Sequence, residues 1–235
     1  MEPQFYKGNR DAFMEKLAPG SLALFFSGVP VRKTADEDYA YFANRNFVYL
    51  TGMEQKDTIL MLEKDACGYR ETLFILPPNL IEERWTGARM KPEEIEAASM
   101  ISNFAYRDTF EEELKKVLAS GRIEKVYLDI DRMDGQVVVS GADSMETFLK
   151  QEYPNLLIEN SLPILKKLRL IKKPCEIRAM EKAQEITKAG ILAMMTHSKP
   201  GMYEYQYKAE YDYALAQHGV LEAGFPSIIS AGKNN

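Results

Sequence analysis

Short apolar runs alternate with amphipathic stretches along this chain. The run from Leu22 to Phe26 lies between Pro19-Gly20 and Ser27-Gly28, a pattern that predicts a buried strand between two turns. Similar runs predict further strands over residues 47–50, 58–62, 72–76 and 125–129. Because these strands interleave with helices, we expect an α/β fold in which helices flank a mixed β-sheet.

Helical periodicity is clearest after Asp108. Asp108 and Glu111 form a candidate capping box, and Gly121 can adopt the left-handed conformation that ends a helix. The apolar face of this helix consists of Phe110, Leu114, Val117 and Leu118. Two more helices are predicted over residues 93–100 and 144–151.

Lysine and arginine concentrate between Leu162 and Pro174, and we interpret this segment as a connection between domains. We therefore predict one domain over residues 1–165 and a second segment over residues 166–235. In the second segment, a long amphipathic helix should begin at Pro174 and end near His197.

A second helix of this segment should carry an apolar stripe and end at Gly219, and a strand is predicted over residues 225–229. The stripe consists of Tyr203, Tyr207, Tyr211 and Leu215. Two helices and one strand make an incomplete domain with uncovered apolar faces. We expect it to lean on the first domain, to oligomerise or to stay partly mobile.

Composition excludes several classes of protein. The 235 residues are 46% hydrophobic and carry a net charge of -5, without the basic stripe that nucleic-acid binding requires. The polar amino terminus does not resemble a signal peptide, and no apolar run reaches the roughly 18 residues of a membrane helix. We therefore expect a cytoplasmic protein. Cys67 and Cys175 are isolated and are expected to be reduced thiols.

Few side chains suggest chemistry of their own. His197 and His218 fall near predicted helix ends, where a structural role is favoured, and neither belongs to a zinc-binding His-Glu-x-x-His motif. Cys175 could be a nucleophile at a helix start, although simple packing is the more common role of a lone cysteine. Trp85 lies among charged residues in a predicted loop or short turn after a strand, where it could pack internally or contact a partner.

Three stretches resemble one known family. They are YFANRNFVYLTG from Tyr41 to Gly52, LFILPPNLIEERWTG from Leu73 to Gly87, and LRLIKKPCEI from Leu168 to Ile177, which is followed by Pro200-Gly201 and Glu204. The first two resemble the amino-terminal domain of the aminopeptidase P and creatinase family. The third is similar to the family's hinge into its "pita-bread" catalytic domain, of which residues 166–235 would be an incomplete α+β fragment.

The resemblance implies an Xaa-Pro aminopeptidase, a metallohydrolase that removes the first residue of peptides with proline second. It also implies two divalent cations, manganese by expectation, held by two Asp, one His and two Glu. In the family these ligands follow the Gly-x-Asn segment represented by Gly232 to Asn234. We therefore expect no metal ligand, no catalytic residue and no cofactor in this chain, and no activity of the chain alone.

The resemblance also supplies candidate contact residues. It implies that Trp85 lies near the mouth of a neighbouring subunit's active site and helps to hold the peptide. Asp38 and Arg45, with Asp36 and Tyr41, are candidates for the same interface, and simple solvation of a charged loop is the alternative. The hypothesis is a homo-oligomeric, substrate-gating part of an aminopeptidase that acts on proline-containing peptides.

The competing hypothesis is a non-catalytic module of the same fold that binds peptides or proteins. The presence of the five metal ligands downstream in the parent protein would favour the peptidase. A rise in thermal stability on adding manganese would show that a metal site exists.

Overall fold

The computed structural model describes residues 1–132, 135 and 139–234, and of Asn234 it describes only the backbone. Asn235, where the predicted second segment ends, lies outside the described residues. The chain divides into two compact units, Met1–Ile171 and Lys172–Asn235. The first unit is a mixed α/β layer structure, so the predicted fold class is confirmed.

A six-stranded sheet forms the centre of the first unit. The six strands are β1 (Ser21–Phe26), β4 (Ile59–Asp65), β5 (Gly68–Ile75), β6 (Phe104–Tyr106), β7 (Lys125–Leu128) and β8 (Leu157–Asn160). Their order across the sheet is β6-β5-β4-β1-β7-β8. β4 runs antiparallel to β1 and β5, whereas β1, β7 and β8 are parallel to one another, as are β5 and β6. A separate hairpin consists of β2 (Arg32–Thr34) and β3 (Glu37–Asp38).

β1 lies inside the sheet because its SLALFF sequence is apolar on both faces. Leu24 pairs with Met61 of β4 on one side and with Leu128 of β7 on the other. The strands predicted over residues 22–26, 58–62, 72–76 and 125–129 are therefore confirmed, with shifted ends.

Helices cover both sides of this sheet. The helices of the first unit are α1 (Pro3–Glu15), α2 (Arg45–Thr51), α3 (Leu80–Thr86), α4 (Pro92–Ser99), α5 (Phe110–Ala119), α6 (Gly141–Glu152) and α7 (Leu162–Leu170). α5 and α6 contribute Phe110, Leu114 and Leu149 to a core that also includes Leu24 and Phe74 of the sheet. Elsewhere α1 packs against α2, α4 and α7.

A buried arginine on α1 connects several elements. The Arg10 side chain is fully buried, and it donates to both carboxylate oxygens of Glu71 at 2.7 and 3.2 Å. It also donates to the carbonyl oxygens of Leu50, at 2.8 Å, and Ser99, at 2.9 Å. Arg10 therefore joins α1 to β5 and to the ends of α2 and α4.

The strand predicted over residues 47–50 is wrong, because these residues form α2. The Asn44 side chain caps the helix by accepting hydrogen bonds from the backbone amides of Asn46, at 2.8 Å, and Phe47, at 2.9 Å. Phe47, Tyr49 and Leu50 are all buried, so tertiary packing and the cap outweigh the strand preference of the aromatic residues.

The helix after Asp108 is confirmed, but its capping box is wrong. A 3-10 turn covers Arg107–Thr109, and α5 begins at Phe110 without a side-chain cap. Gly121 does adopt the left-handed conformation, with φ of 68°. The helices predicted over residues 93–100 and 144–151 are confirmed as α4 and α6, and α6 begins earlier because Ser140 caps it.

The second unit contains the two predicted helices, α8 (Pro174–His197) and α9 (Glu204–Gln217). They meet at Gly190, where an added Cβ would lie 2.5 Å from the Tyr211 ring. Residues 225–229 form no strand, so that prediction is wrong. The described part of this unit contains no strand with which residues 225–229 could pair, and a lone strand would leave its backbone amide and carbonyl groups without hydrogen-bonding partners.

Candidate peptide-contact surface

Trp85 lies on α3, which follows the Pro77-Pro78 break at the end of β5. The Asn79 side chain caps α3 by accepting from the amides of Ile81 and Glu82 at 3.2 Å each, and Gly87 ends it with φ of 90°. The loop or short turn predicted around Trp85 is therefore wrong, because a seven-residue helix is too short to show a helical period in the sequence.

α3 buries none of its residues. Its three large apolar side chains are solvent-exposed, Leu80 to 80%, Ile81 to 78% and Trp85 to 87%. Clustered exposed apolar side chains of this size are typical of surfaces that contact a partner.

Ion pairs hold this helix in place. The Glu82 carboxylate lies between the ammonium group of Lys56, at 3.0 Å, and the guanidinium group of Arg89, at 2.5 Å. The hydrogen bond from Lys56, together with the charge of Arg89, lowers the pKa of Glu82. Arg89 also donates to the carbonyl oxygen of Pro77. The position of α3 thus depends on residues before β4 and after the helix.

The β2–β3 hairpin carries Asp38, whose carboxylate pairs with the Arg32 guanidinium at 2.9 Å. Asp36 is exposed in the turn of the same hairpin. Just after it, the Tyr41 hydroxyl lies 3.0 Å from the carbonyl oxygen of Ser27 and 3.2 Å from that of Gln55. Burial raises the pKa of Tyr41, so its hydroxyl stays protonated and donates to these carbonyl groups.

Arg45 is engaged by its own neighbours. Its Nε donates to the carbonyl oxygen of Ala43 at 2.9 Å, and its Nη1 pairs with Glu54 at 3.1 Å. Its guanidinium carbon also lies 4.0 Å from the centre of the Phe42 ring. A ligand that used Arg45 would therefore have to compete with these contacts.

A cleft of about 370 Å³ lies beside α3 and is called the α3 cleft below. It brings Asp38 and Tyr41 together with residues 86–89, which directly follow Trp85. Neither Trp85 nor Arg45 lines it, although Glu54, the partner of Arg45, does. The remaining lining residues are Pro30, Tyr39, Gln55, Lys56 and Leu76.

Sequence reasoning missed three charged residues here, Lys56, Glu82 and Arg89. Isolated surface charges carry no local signal, and these three come together only through folding. The Glu-x-Trp-x-Gly stretch indicated the neighbourhood but not the ion pairs.

Other candidate residues lie apart from this surface. His197 Nδ1 is 2.6 Å from a Glu210 carboxylate oxygen at the end of α8, and His218 follows α9 directly, so both histidines lie at the predicted helix ends. Cys67 is an exposed free thiol and Cys175 a half-buried one.

Within residues 1–132, 135 and 139–234, no three His, Cys, Asp or Glu side chains gather as a metal site would require. No helix in the described part of the chain is both long and apolar enough to cross a bilayer.

Comparison with known proteins covers nearly the whole chain. Residues 6–127 match the family model of the aminopeptidase P N-terminal domain, and residues 178–235 match that of metallopeptidase family M24. The Xaa-Pro aminopeptidase of Escherichia coli strain K12 is 27% identical, over 98% of this chain and 53% of the relative.

Solved structures give the same result. The structure of a proposed aminopeptidase P from Bacillus anthracis is 30% identical with a TM-score of 0.89, over 93% of this chain and 52% of that one. Zinc-substituted Escherichia coli aminopeptidase P in complex with product is 27% identical with a TM-score of 0.78, over 94% and 51% of the two chains. The chain thus spans about half the length of these relatives. It belongs to the aminopeptidase P family, as a region that matches the family's amino-terminal domain and continues into M24 sequence.

Proposed function

We propose that this chain is the oligomerisation and substrate-gating part of an Xaa-Pro aminopeptidase, a hydrolase that releases the first residue of peptides with proline second. The observation that carries this proposal is the exposed apolar face of α3, formed by Leu80, Ile81 and Trp85. The names of the relatives support the reaction, and the face supports an assembly in which α3 meets another subunit.

The chemistry of the α3 face suits this role. A tryptophan ring buries a large area with few rotatable bonds, which makes it an effective contact for a second subunit or for a proline ring. Asp38 in the adjoining α3 cleft supplies a carboxylate that can attract the amino terminus of a peptide, in competition with its ion pair to Arg32. Trp85 and Asp38 are therefore proposed to contact the peptide. Arg45 is the third proposed contact residue, and its ion pair with Glu54 fixes the position of its side chain.

The metal centre is assigned to the rest of the enzyme. Family M24 membership supports divalent metal in the intact enzyme, and two manganese ions remain our expectation. The described residues offer no donor set that fits such ions, so no catalytic step is assigned to them. We propose that the 235-residue chain alone, supplied with Mn²⁺, does not hydrolyse an Xaa-Pro peptide. A cytoplasmic location stays a prediction.

Trp85 makes the assembly test direct, because it is the only tryptophan in the sequence. If α3 forms a subunit contact, the emission maximum of Trp85 should move to shorter wavelength as protein concentration rises, in step with the mass from analytical ultracentrifugation. The double variant Leu80→Ser/Ile81→Ser should stay monomeric.

Leu221→Ser is the matched control, since Leu221 is 87% exposed in the other unit, and this variant should associate like the wild type. A wild-type chain that stays monomeric, with Trp85 emission unchanged at all concentrations, contradicts the oligomerisation role.

Peptide contact is tested separately by titrating the chain with Ala-Pro-Ala and with Ala-Ala-Ala. We expect Ala-Pro-Ala to change Trp85 fluorescence more strongly, and Asp38→Asn to weaken the change by a few-fold, since Asp38 borders the α3 cleft. Asp36→Asn, an exposed change in the same hairpin, should leave it intact. Equal responses to the two peptides would argue against a contact with proline.

A further inference from the structure

Two adjoining cavities lie at one edge of the sheet, where several strands end. Phe26 ends β1, Arg107 follows β6 and Asp129 follows β7, and all three line these cavities. In open α/β sheets, the crevice beyond the carboxyl ends of the strands is where ligands bind. The cavities, together called the carboxyl-edge groove, share Phe26, Gly28, Val29, Val139, Ser140 and Gly141.

The larger cavity, about 420 Å³, is mostly apolar. Phe26 and Phe110 meet edge to face with ring centres 6.3 Å apart, and Leu114, Met145 and Phe148 extend this lining. Its volume falls in the range of about 300–1,000 Å³ that is usual for small-molecule sites. Such a lining suits the apolar body of a small ligand.

The smaller cavity, about 370 Å³, contains a buried carboxylate. Asp129 is only 6% exposed, and its two oxygens accept from the Asn46 side-chain amide at 2.9 and 3.0 Å. Burial raises the pKa of Asp129, while hydrogen bonds from Asn46 and Asn44 oppose that shift. Arg169 donates to the Asn46 oxygen at 2.5 Å and favours the ionised carboxylate through its charge.

The charge of the groove favours a cation. Asp57, Glu111 and Asp129 are acidic, whereas Arg107 is the only base among the described lining residues and pairs with Asp57 at 3.0 Å. α6 begins at this edge, where a capping box satisfies the backbone amides of Ser140 and Asp143 and places the Asp143 carboxylate in the first turn of the helix. This carboxylate offsets the positive end of the helix dipole.

We propose that the carboxyl-edge groove binds a small organic amine, with its ammonium group against Asp129 and its apolar body against the adjoining rings of Phe26 and Phe110. This site is distinct from the α3 cleft, although Pro30 borders both. The inference goes beyond the proposed peptidase role and does not depend on it.

The test is calorimetric titration of the 235-residue chain with phenethylamine and with 2-phenylethanol, which has the same body but no charge. We expect the amine to bind about tenfold more tightly, since hydrogen bonds to charged groups are the stronger ones. Equal affinities of amine and alcohol, or no binding of the amine at about 10 mM, would overturn the proposal.

A cavity-filling variant locates the site without touching Asp129. Ser144 lines the larger cavity, and its hydroxyl donates to the Ser140 carbonyl at 3.2 Å. Ser144→Phe should abolish binding of both compounds. Thr147 lies on the same helix, outside the lining, and donates to the Asp143 carbonyl at 3.0 Å, so Thr147→Phe is the matched control. Amine binding that survives Ser144→Phe would place the ligand elsewhere and overturn the proposal.

Asp129→Asn should remove the preference for the amine over the alcohol. If this variant does not fold, the pH dependence of the wild type decides the same point. Amine binding should weaken as Asp129 is protonated, with Asp131 and Arg169 as the charged groups acting on it and Asn44 and Asn46 as its hydrogen-bond partners. The role of Asp129 would be contradicted if Asp129→Asn still binds the amine more tightly than the alcohol. It would also be contradicted if amine binding to the wild type does not weaken as pH falls.

Discussion

The two units of this chain differ in how completely their elements are buried. The first unit fully buries large side chains such as Phe13, Phe25 and Phe74. In the described part of the second unit only Gly190 and Leu215 are buried, although α8 is the longest described helix of the chain. A long helix therefore does not by itself make a core, because a core needs elements that cover one another.

The exposed side chains of the second unit support this comparison. They include large apolar residues on α8 and α9 and in the segment after them: Met180, Met195, Tyr213, Leu221, Phe225 and Ile228. Small segments bury too little surface to be stable alone. We expect the first unit to unfold cooperatively and the second to have little stability of its own.

The largest effect is expected from Arg10→Ala in the first unit. Removing this buried side chain leaves Glu71 and two backbone carbonyl groups without their partner, which should cost about 3–5 kcal/mol of unfolding free energy. Urea denaturation followed by circular dichroism measures the loss. Arg70→Ala, at an exposed position of β5, is the control and should change stability little. A loss below about 1 kcal/mol for Arg10→Ala would contradict its structural role.

A matched pair of leucines compares the two units directly. Leu114 of α5 is 1% exposed and packs in the core, whereas Leu192 of α8 is 49% exposed. Leu114→Ala should lower the free energy of unfolding by about 2–5 kcal/mol, whereas Leu192→Ala should change it by less than about 0.5 kcal/mol. Chemical denaturation of both variants measures these values, and equal losses would mean that the second unit has a core of its own.

A smaller effect is expected where α8 and α9 meet. Gly190→Ala would place a methyl group 2.5 Å from the Tyr211 ring and 2.7 Å from Leu215. Overpacking destabilises the fold by about 1–3 kcal/mol, and the higher helix propensity of alanine offsets about 1 kcal/mol of this loss. Amide hydrogen exchange should therefore become faster in α9 and stay unchanged in β1. Slower exchange in α9 would show that the contact tolerates the methyl group.

The smallest effect concerns the cap of α6. Hydrogen bonds from Ser140, together with Arg132, lower the pKa of Asp143. A carboxyl group whose pKa is lowered by folding stabilises the folded state at pH values above its pKa in the unfolded chain. This stability is lost as pH falls through its pKa in the folded protein. Asp143→Asn should therefore cost about 1 kcal/mol at pH 7, a cost that disappears near pH 2.

Urea titrations of the Asp143→Asn variant at both pH values make the measurement. The same change at exposed Asp36 should have no effect at either pH, which controls for the loss of a surface charge. A cost that does not depend on pH would mean that Asp143 acts through its shape alone.

Much of the fold could be predicted because its signals are local. β1 is an apolar run between turns, and α8 has a proline at its start and a long helical period. The sequence of α2 does not reveal a helix, because Phe47 to Leu50 favour strands in isolation, while the cap by Asn44 and the packing of one face decide the outcome. The strand predicted over residues 225–229 failed because pairing is not a local property.

The candidate surface could be predicted only in part. Family resemblance indicated Trp85 and Asp38, and the structure places Asp38 in a cleft beside the segment that follows Trp85. The ion pair of Glu82 with Lys56 joins residues far apart in the sequence, as does the contact of Asn46 with Asp129. No spacing rule finds such pairs, because they exist only once the sheet has formed.

The place of β1 in the sheet has a consequence for synthesis on the ribosome. β1 is made early, but its parallel neighbour β7 follows about 100 residues later, a delay of roughly 5–20 s at usual rates of translation. β4 can pair with one side of β1 sooner, while the other side stays open. The nascent chain therefore carries an unpaired apolar edge for several seconds, when chaperones would protect it most and slow translation would prolong its exposure.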